Sequence, residues 1–308
     1  MKAKPFLKWA GGKRQLLEDI SKRLPKQIIR NGVIDNYVEP FVGGGAVFFY
    51  LKREFIVKKA FLSDINEELI LSYKVIQKKP KKLFVKLKKL ERRFLRKSNK
   101  RRKKYYYYIR DKIFNAQKKH FNFKTFNRKW IDRAAQLIFL NKTCYNGLFR
   151  LNSKGEFNVP YGRNKNPKIS DEMNIWEVSK ALQNTIIYCS DFEDSEENID
   201  ENSFVYLDPP YRPLNNTAYF TQYSKDGFND KEQKRLIEFF IRINKKGADI
   251  MFSNSDPKNE NPNDNSFEDL FAHLNVGRVS ANRLISCNHT KRSGIMELIV
   301  TNYKMDIE

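Results

Sequence analysis

The chain has 308 residues, with 59 Lys and Arg against 36 Asp and Glu and a net charge of +23. That length allows two units with a sizeable core, and so strong a basic excess is the footprint of a chain that meets a polyanion such as nucleic acid. Three scattered cysteines (Cys144, Cys189, Cys287) and three scattered histidines (His120, His273, His289) lack metal or disulfide spacing, and no apolar run approaches a spanning helix or a signal peptide. A cytoplasmic protein with no metal and no membrane partner is therefore expected.

In chain order, an extended piece around Phe6 to Trp9 precedes "GGKRQLLEDISKRL", whose Leu16, Leu17, Ile20 and Leu24 have helical spacing, so the Gly pair is expected to open a helix. "NYVEPFVGGGAVFFYL" reads as a strand ending near Glu39, a turn at Gly43 to Gly45 and a helix. "KKAFLSDINEELILSY" reads as a strand closing at Asp64 and another helix. The order strand, Gly turn, helix, strand, acid is a βαβ unit.

Lys74 to Lys104 carries seventeen Lys or Arg and one acid, Glu91. Leu83, Leu87, Leu90 and Phe94 recur at helical spacing, so the stretch is read as one amphipathic helix whose basic face is either solvated or laid on a DNA backbone. In "YYYYIRDKIF", Tyr105, Tyr108 and Ile109 are expected in the core of the smaller unit. After the helical "DRAAQLIFLNKT", the alternation of Phe149, Leu151, Phe157 and Val159 around Ser153 to Gly155 predicts a β-hairpin. "NTIIYCSDF", "SFVYLDPPY" and "ADIMFSNSD" are short buried-strand patterns, and "MELIVTNY" is a closing strand.

Asp64, Asp191, Asp208 and Glu39 thus stand at or just beyond strand ends, where an open parallel sheet places its ligand crevice. An acid about 20 residues past a Gly turn is placed to bond a ribose hydroxyl, although "GGG" departs from G-x-G-x-x-G and by itself could be only a tight turn. "DPPY" could likewise be only a turn, since proline stops a strand. It can also do chemistry. The Asp208 carboxylate and a peptide oxygen fixed by Pro209 and Pro210 can accept both protons of one exocyclic amine, freeing its lone pair, while Tyr211 stacks on the base. No activated protein nucleophile is evident, so a cofactor must bring the electrophile, and a sulfonium methyl donor meets that need.

The ordered pieces "FLKWAGGK", "EPFVGGGAVFF", "SDIN", "NGLFRLNSKGEFNVPYG", "SDF" and "LDPPY" resemble the motifs of DNA adenine-N6 methyltransferases of the Dam type, including the methylases of GATC restriction-modification systems. The likeness runs from Phe6 to Tyr303. It implies a Rossmann-like α/β catalytic domain (1–73 and 171–308) with an inserted helical and β-hairpin DNA-recognition domain (74–170). It also implies transfer of methyl from S-adenosylmethionine to N6 of an adenine flipped out of duplex DNA.

By that resemblance Trp9, Ala10, Gly11, Gly12 and Lys13 line the cofactor pocket, with Glu39, Pro40, Phe41 and Gly43 beside the methionine part. Asp64 and Ile65 would take the ribose side, Asp191 and Phe192 the cofactor's adenine, and Asp208 would lie close to the cofactor. Asp208, Pro209, Pro210 and Tyr211 grip the target base. Lys8, Tyr145, Asn146, Leu148, Arg150 and Pro160 read a GATC site, Arg150 as a bidentate partner of guanine. A surface ion pair is the plainer role for Arg150. The resemblance leaves open a companion restriction endonuclease acting separately. The competing readings are a methyltransferase acting on cytosine N4, RNA adenine or a protein glutamine, and a DNA-binding module without catalysis.

Overall fold

The computed structural model describes residues 2–210, 229–259, 261–265, 271–281 and 295–305. Two short helices, α1 (Leu17–Lys22) and α2 (Lys26–Asn31), precede β1 (Val33–Glu39). The Gly pair does not open α1: Gly11 has φ +74°, a left-handed value through which no α-helix continues, and the helix begins only at Leu17. The βαβ order then follows as expected, with α3 (Ala46–Glu54), β2 (Ile56–Asp64) and α4 (Glu67–Lys78). The Asn66 side chain caps α4 by accepting from Leu69 N–H at 3.1 Å, with Glu67 and Glu68 in the first turn.

The basic stretch forms two helices rather than one, α5 (Pro80–Leu95) and α6 (Asn99–Tyr107), and runs on into a π-helical turn (Tyr108–Asn115) and the short α7 (Ala116–Lys118). Leu83, Leu87 and Phe94 are fully buried as their spacing requires, while Leu90 is only partly covered. The break after α5 resets the helical phase, so Tyr106 and Ile109 are the buried positions and Tyr108 is 54% exposed, against expectation. The next buried residue is Phe114, five positions after Ile109, which is the longer period of a π-turn.

Helix α8 (Arg128–Thr143) is buried along nearly its whole length. Its Arg133 pairs with Glu68 of α4, the Nε to Oε2 distance being 3.0 Å, and lies 3.7 Å from the Phe114 ring centroid. This ties the sequence after α5 firmly to the sheet side of the molecule. The expected hairpin is irregular. Its arms meet through one antiparallel bridge, Leu151 with Phe157, closed by Asn152 N–H to Glu156 O at 2.9 Å, and not through a regular ladder.

The chain returns through α9 (Glu172–Ala181), β3 (Thr185–Cys189), β4 (Ser203–Leu207), α10 (Asp230–Lys245), β5 (Asp249–Ser255), β6 (Asn275–Ala281) and β7 (Ile295–Thr301). The seven strands lie in the order β3-β2-β1-β4-β5-β7-β6; β7 runs antiparallel to both its neighbours. Alternate residues feed opposite faces. Phe204 and Tyr206 join the larger core, which contains the α5 and α8 side chains, whereas Val205 and Leu207 join a smaller core under α10. No helix among the described residues is long and apolar enough to cross a membrane.

Candidate active site

Strand order reverses at β1, which has β2 on one side and β4 on the other. In open sheets the ligand crevice lies outside the carboxyl ends of the strands at such a point, and each of these ends delivers an acid. Glu39 closes β1, Asp64 closes β2 and Asp208 follows β4 directly, while Asp191 stands two residues past β3.

Glu39 is 2% exposed and accepts a hydrogen bond from Tyr37 Oη at 2.9 Å. Burial drives its pKa well above the carboxylate range; the Tyr37 bond opposes this, and the nearby Asp208 and Asp64 charges add to it. Asp64 holds the Gly turn. Its Oδ2 accepts from Gly43 N–H at 3.0 Å and its Oδ1 from Asn66 N–H at 2.9 Å, yet burial still lifts its pKa to about 6. Beside it, Ile65 is 60% exposed.

The turn itself is tightly backed. Gly43 (φ +45°) and Gly45 (φ +68°) are left-handed, and Tyr73 Oη donates to Gly43 O at 3.1 Å. A Cβ on Gly43 would lie 3.0 Å from the Trp9 ring, and one on Gly45 only 2.5 Å from Tyr73 Oη. The Trp9 indole therefore lies against the turn, and it also stacks on Phe149 with centroids 5.0 Å apart.

Asp208 is the most strongly positioned of the acids. Its Oδ1 lies 2.8 Å from Lys13 Nζ and accepts from Ser253 Oγ at 3.2 Å; Ser253 in turn bonds Tyr206 Oη at 2.9 Å. Lys13 also reaches Glu297 Oε2 of β7 at 3.1 Å. Burial raises the Asp208 pKa to about 6, Lys13 pulls it down and Glu297 pushes it up. Pro209 is buried and Pro210 exposed; Tyr211 lies outside the described residues.

Asp191 takes a different setting. It accepts from Glu193 N–H at 3.1 Å and pairs with Arg235 of α10 at 2.7 Å. Phe192 is buried and stacks on Phe41, centroids 5.3 Å apart, so Pro40 and Phe41 reach toward the β3 end.

The other predicted residues gather in a second group. The backbone N–H and C=O of Lys8 bond the Asn141 side chain, each at 2.9 Å, and the Lys8 side chain runs against Gly147. Tyr145 is 54% exposed and its N–H donates to Pro160 O at 2.8 Å. Asn146 is left-handed at φ +54°, Leu148 is half-buried, and Arg150 Nε donates to Asn158 Oδ1 at 2.7 Å. The two groups meet where residues 8–13 pass between them, at the Trp9–Phe149 stack. Ala10 and the exposed Gly11 and Gly12 span the gap from Trp9 to Lys13.

Ser253, Glu297 and Tyr73 were missed from sequence. Glu297 alone left a signal, as a single acid inside the apolar run "MELIV".

An open α/β sheet with acids at the strand ends of its switch point, a backed Gly turn and an Asp-Pro-Pro segment at the β4 end has the layout of a group-transfer enzyme that takes its ligand there. Residues 9–285 match the model of the D12 class N6 adenine-specific DNA methyltransferases, and the chain belongs to that family. It is an adenine-N6 DNA methyltransferase. It is 50% identical to the type II methyltransferase M.MjaIII of Methanocaldococcus jannaschii, over 98% of this chain and 100% of that one. Identity is 36% with M1.LlaDCHI of Lactococcus lactis subsp. cremoris and 34% with the DNA adenine methylase of Escherichia coli K12, each over 97% of this chain and 95% of the relative.

Proposed function

We propose that the chain uses S-adenosylmethionine to methylate a flipped adenine within GATC in double-stranded DNA. The observation that carries this is the anchoring of Asp208. Lys13 and Ser253 both engage Oδ1 at the mouth of the β1/β4 crevice, which leaves the carboxylate a second oxygen for an amine proton.

The cofactor assignment fits the residues present. The half-buried Asp64 offers hydroxyl-accepting lone pairs directly beside the exposed apolar Ile65, the pairing that a ribose and its base require. Trp9, Ala10, Gly11, Gly12, Lys13, Glu39, Pro40, Phe41 and Gly43 would line the remainder, with Asp191 and Phe192 at the β3 end. S-adenosylmethionine would supply the sulfonium methyl group there. Asp208 accepts one N6 proton of the target adenine, the Pro209-Pro210 segment presents a peptide oxygen to the other, and Tyr211 stacks on the base. The lone pair is thereby left facing the crevice.

In this reading residues 74–170 form the recognition insertion. Lys8, Tyr145, Asn146, Leu148, Arg150 and Pro160 contact the site, and Arg150 forks onto guanine. Support comes from the Trp9–Phe149 stack, which sets that group beside the crevice. The type II names of two relatives support a separate restriction endonuclease as companion.

Transfer of tritiated methyl to unmethylated duplex by wild type and not by Asp208→Ala is expected. Mapping of methylated adenines in a host genome expressing the chain should return G-A-T-C at every recurrent site, and a different recurrent motif would refute the assignment of the reading residues.

A further inference from the structure

The basic stretch has no part in the chemistry above, yet it is the densest charge in the chain. Helix α6 holds Lys100, Arg101, Arg102, Lys103 and Lys104 and no acid. Only Arg102 is turned inward, donating to Leu95 O at 2.8 Å and Lys165 O at 2.7 Å. The other four are exposed and have no acid partner among the described residues.

Such a helix is poorly suited to stand alone. Like charges at Lys100 and Lys103, Lys100 and Lys104, and Arg101 and Lys104 repel across one turn, and cations in a first turn oppose the helix dipole. Solvating a face does not demand this arrangement. On α10 the same chain pairs its arginines, Arg235 with Glu193 and Arg242 with Glu196.

What holds α6 in place also says where it points. Tyr106 Oη donates to Val159 O at 2.7 Å, Tyr161 Oη to Asn99 Oδ1 at 3.1 Å, and Arg110 Nη1 to Val159 O at 3.0 Å. With the Arg102 bond, these fasten the helix to residues 159–165, which contain Pro160 and the exposed Arg163 and Lys165. Lys100 to Lys104 span about 6 Å of helix axis, and the anchors at Asn99 and Tyr106 stand on either side of them, so the exposed cations form a row beside residues 159–165.

We propose that α6, with Arg163 and Lys165, is a phosphate-binding ledge for duplex DNA lying outside the target site. This rests on the reading that the chain methylates a site in duplex DNA. The ledge adds sequence-independent affinity with strong salt dependence and makes binding grow with duplex length.

The test compares the full-length chain with the quadruple variant K100Q/R101Q/K103Q/K104Q on two duplexes, one ending just outside the site and one several helical turns longer. A charge-matched control, K26Q/R30Q/K58Q/K59Q, removes four cations from α2 and the start of β2. On the short duplex all three should methylate at the same rate, which also certifies folding of the variants. On the long duplex wild type and control should bind more tightly than on the short one, and the ledge variant should lose that gain. The slope of log K against log salt for the long duplex should be shallower by about 3 to 4 in the ledge variant, at about 0.9 per phosphate. Between about 50 and about 200 mM salt that is roughly a 100-fold smaller loss of affinity.

Equal slopes and an undiminished length gain in the variant would overturn the ledge while leaving the methylation reading intact. Loss of short-duplex methylation in a folded variant would also overturn it, by placing these residues inside the target contact. Failure of wild type to methylate either duplex would instead remove the reading on which the ledge rests.

Discussion

The Lys13 ammonium lies 2.8 Å from Asp208 Oδ1 and 3.1 Å from Glu297 Oε2, so one buried cation serves two carboxylates. With both acids ionised the cluster carries one net negative charge. Its balance decides how readily Asp208 accepts a proton.

Asp208 is the stronger acceptor for an amine while ionised, and its pKa stands at about 6. The methyl-transfer rate should therefore fall as pH drops through about 6. Glu297→Gln removes a charge that raises that pKa, so the acid limb should move to lower pH. Tyr206, Ser253 and Glu39 also face Asp208 and are unchanged in the variant. Single-turnover rates across pH read the shift, and an unmoved limb would show that Glu297 does not tune this acid.

The same displacement has a stability consequence. Asp208 and Asp64 rise from 3.8 to about 6 on folding, so the folded state binds more protons between those values. Their contribution is fully present below about pH 4 and is lost as pH rises through about 6, up to roughly 3 kcal/mol each. Asp208→Asn should thus be more stable than wild type at neutral pH although inactive, and the difference should vanish in acid. Urea denaturation at both pH values checks this.

Gly45→Ala would put a Cβ 2.5 Å from Tyr73 Oη at φ +68°. A loss of about 2 to 3 kcal/mol is expected, of which about 1 is backbone strain. Tyr73→Phe in the same chain should return the steric share and leave the strain. Additive losses in the double variant would contradict the clash.

Arg150→Ala should relax discrimination at one base pair by about 1–3 kcal/mol while leaving methylation of the best site largely intact. Asn158→Ala removes the acceptor that holds Arg150 Nε at 2.7 Å and should produce a weaker version of the same effect. Rates on duplexes carrying single base changes measure both.

The strands and the crevice were legible because their signals are local. A buried apolar run followed by an acid reads the same from sequence as from structure, and Glu39, Asp64 and Asp208 stand where those runs end. The basic region was read less well. Its helical periodicity was real, but the break after Leu95 and the π-turn from Tyr108 shift the phase, and neither Pro nor Gly marks them. Ser253 and Glu297 escaped for another reason: Ser253 reaches Asp208 from β5, and Glu297 reaches Lys13 from β7 one strand further out, neighbourhoods that only the sheet order creates. Helices α9 and α10 and strand β6 were likewise missed. Strand β6 has an edge position and a Gly at 277, which weakens its pattern.

The passage from Lys8 to Lys13 spans at most about 20 Å of chain, and it supplies a residue to the proposed reading group, the ring that bridges the groups and the cation on Asp208. In the proposed reading, specificity and chemistry are therefore not separable cassettes. Transplanting the segment from α8 to the hairpin into a sister enzyme would leave its new reading head served by a foreign N-terminal strap. A working chimaera would have to carry those few leading residues along with it.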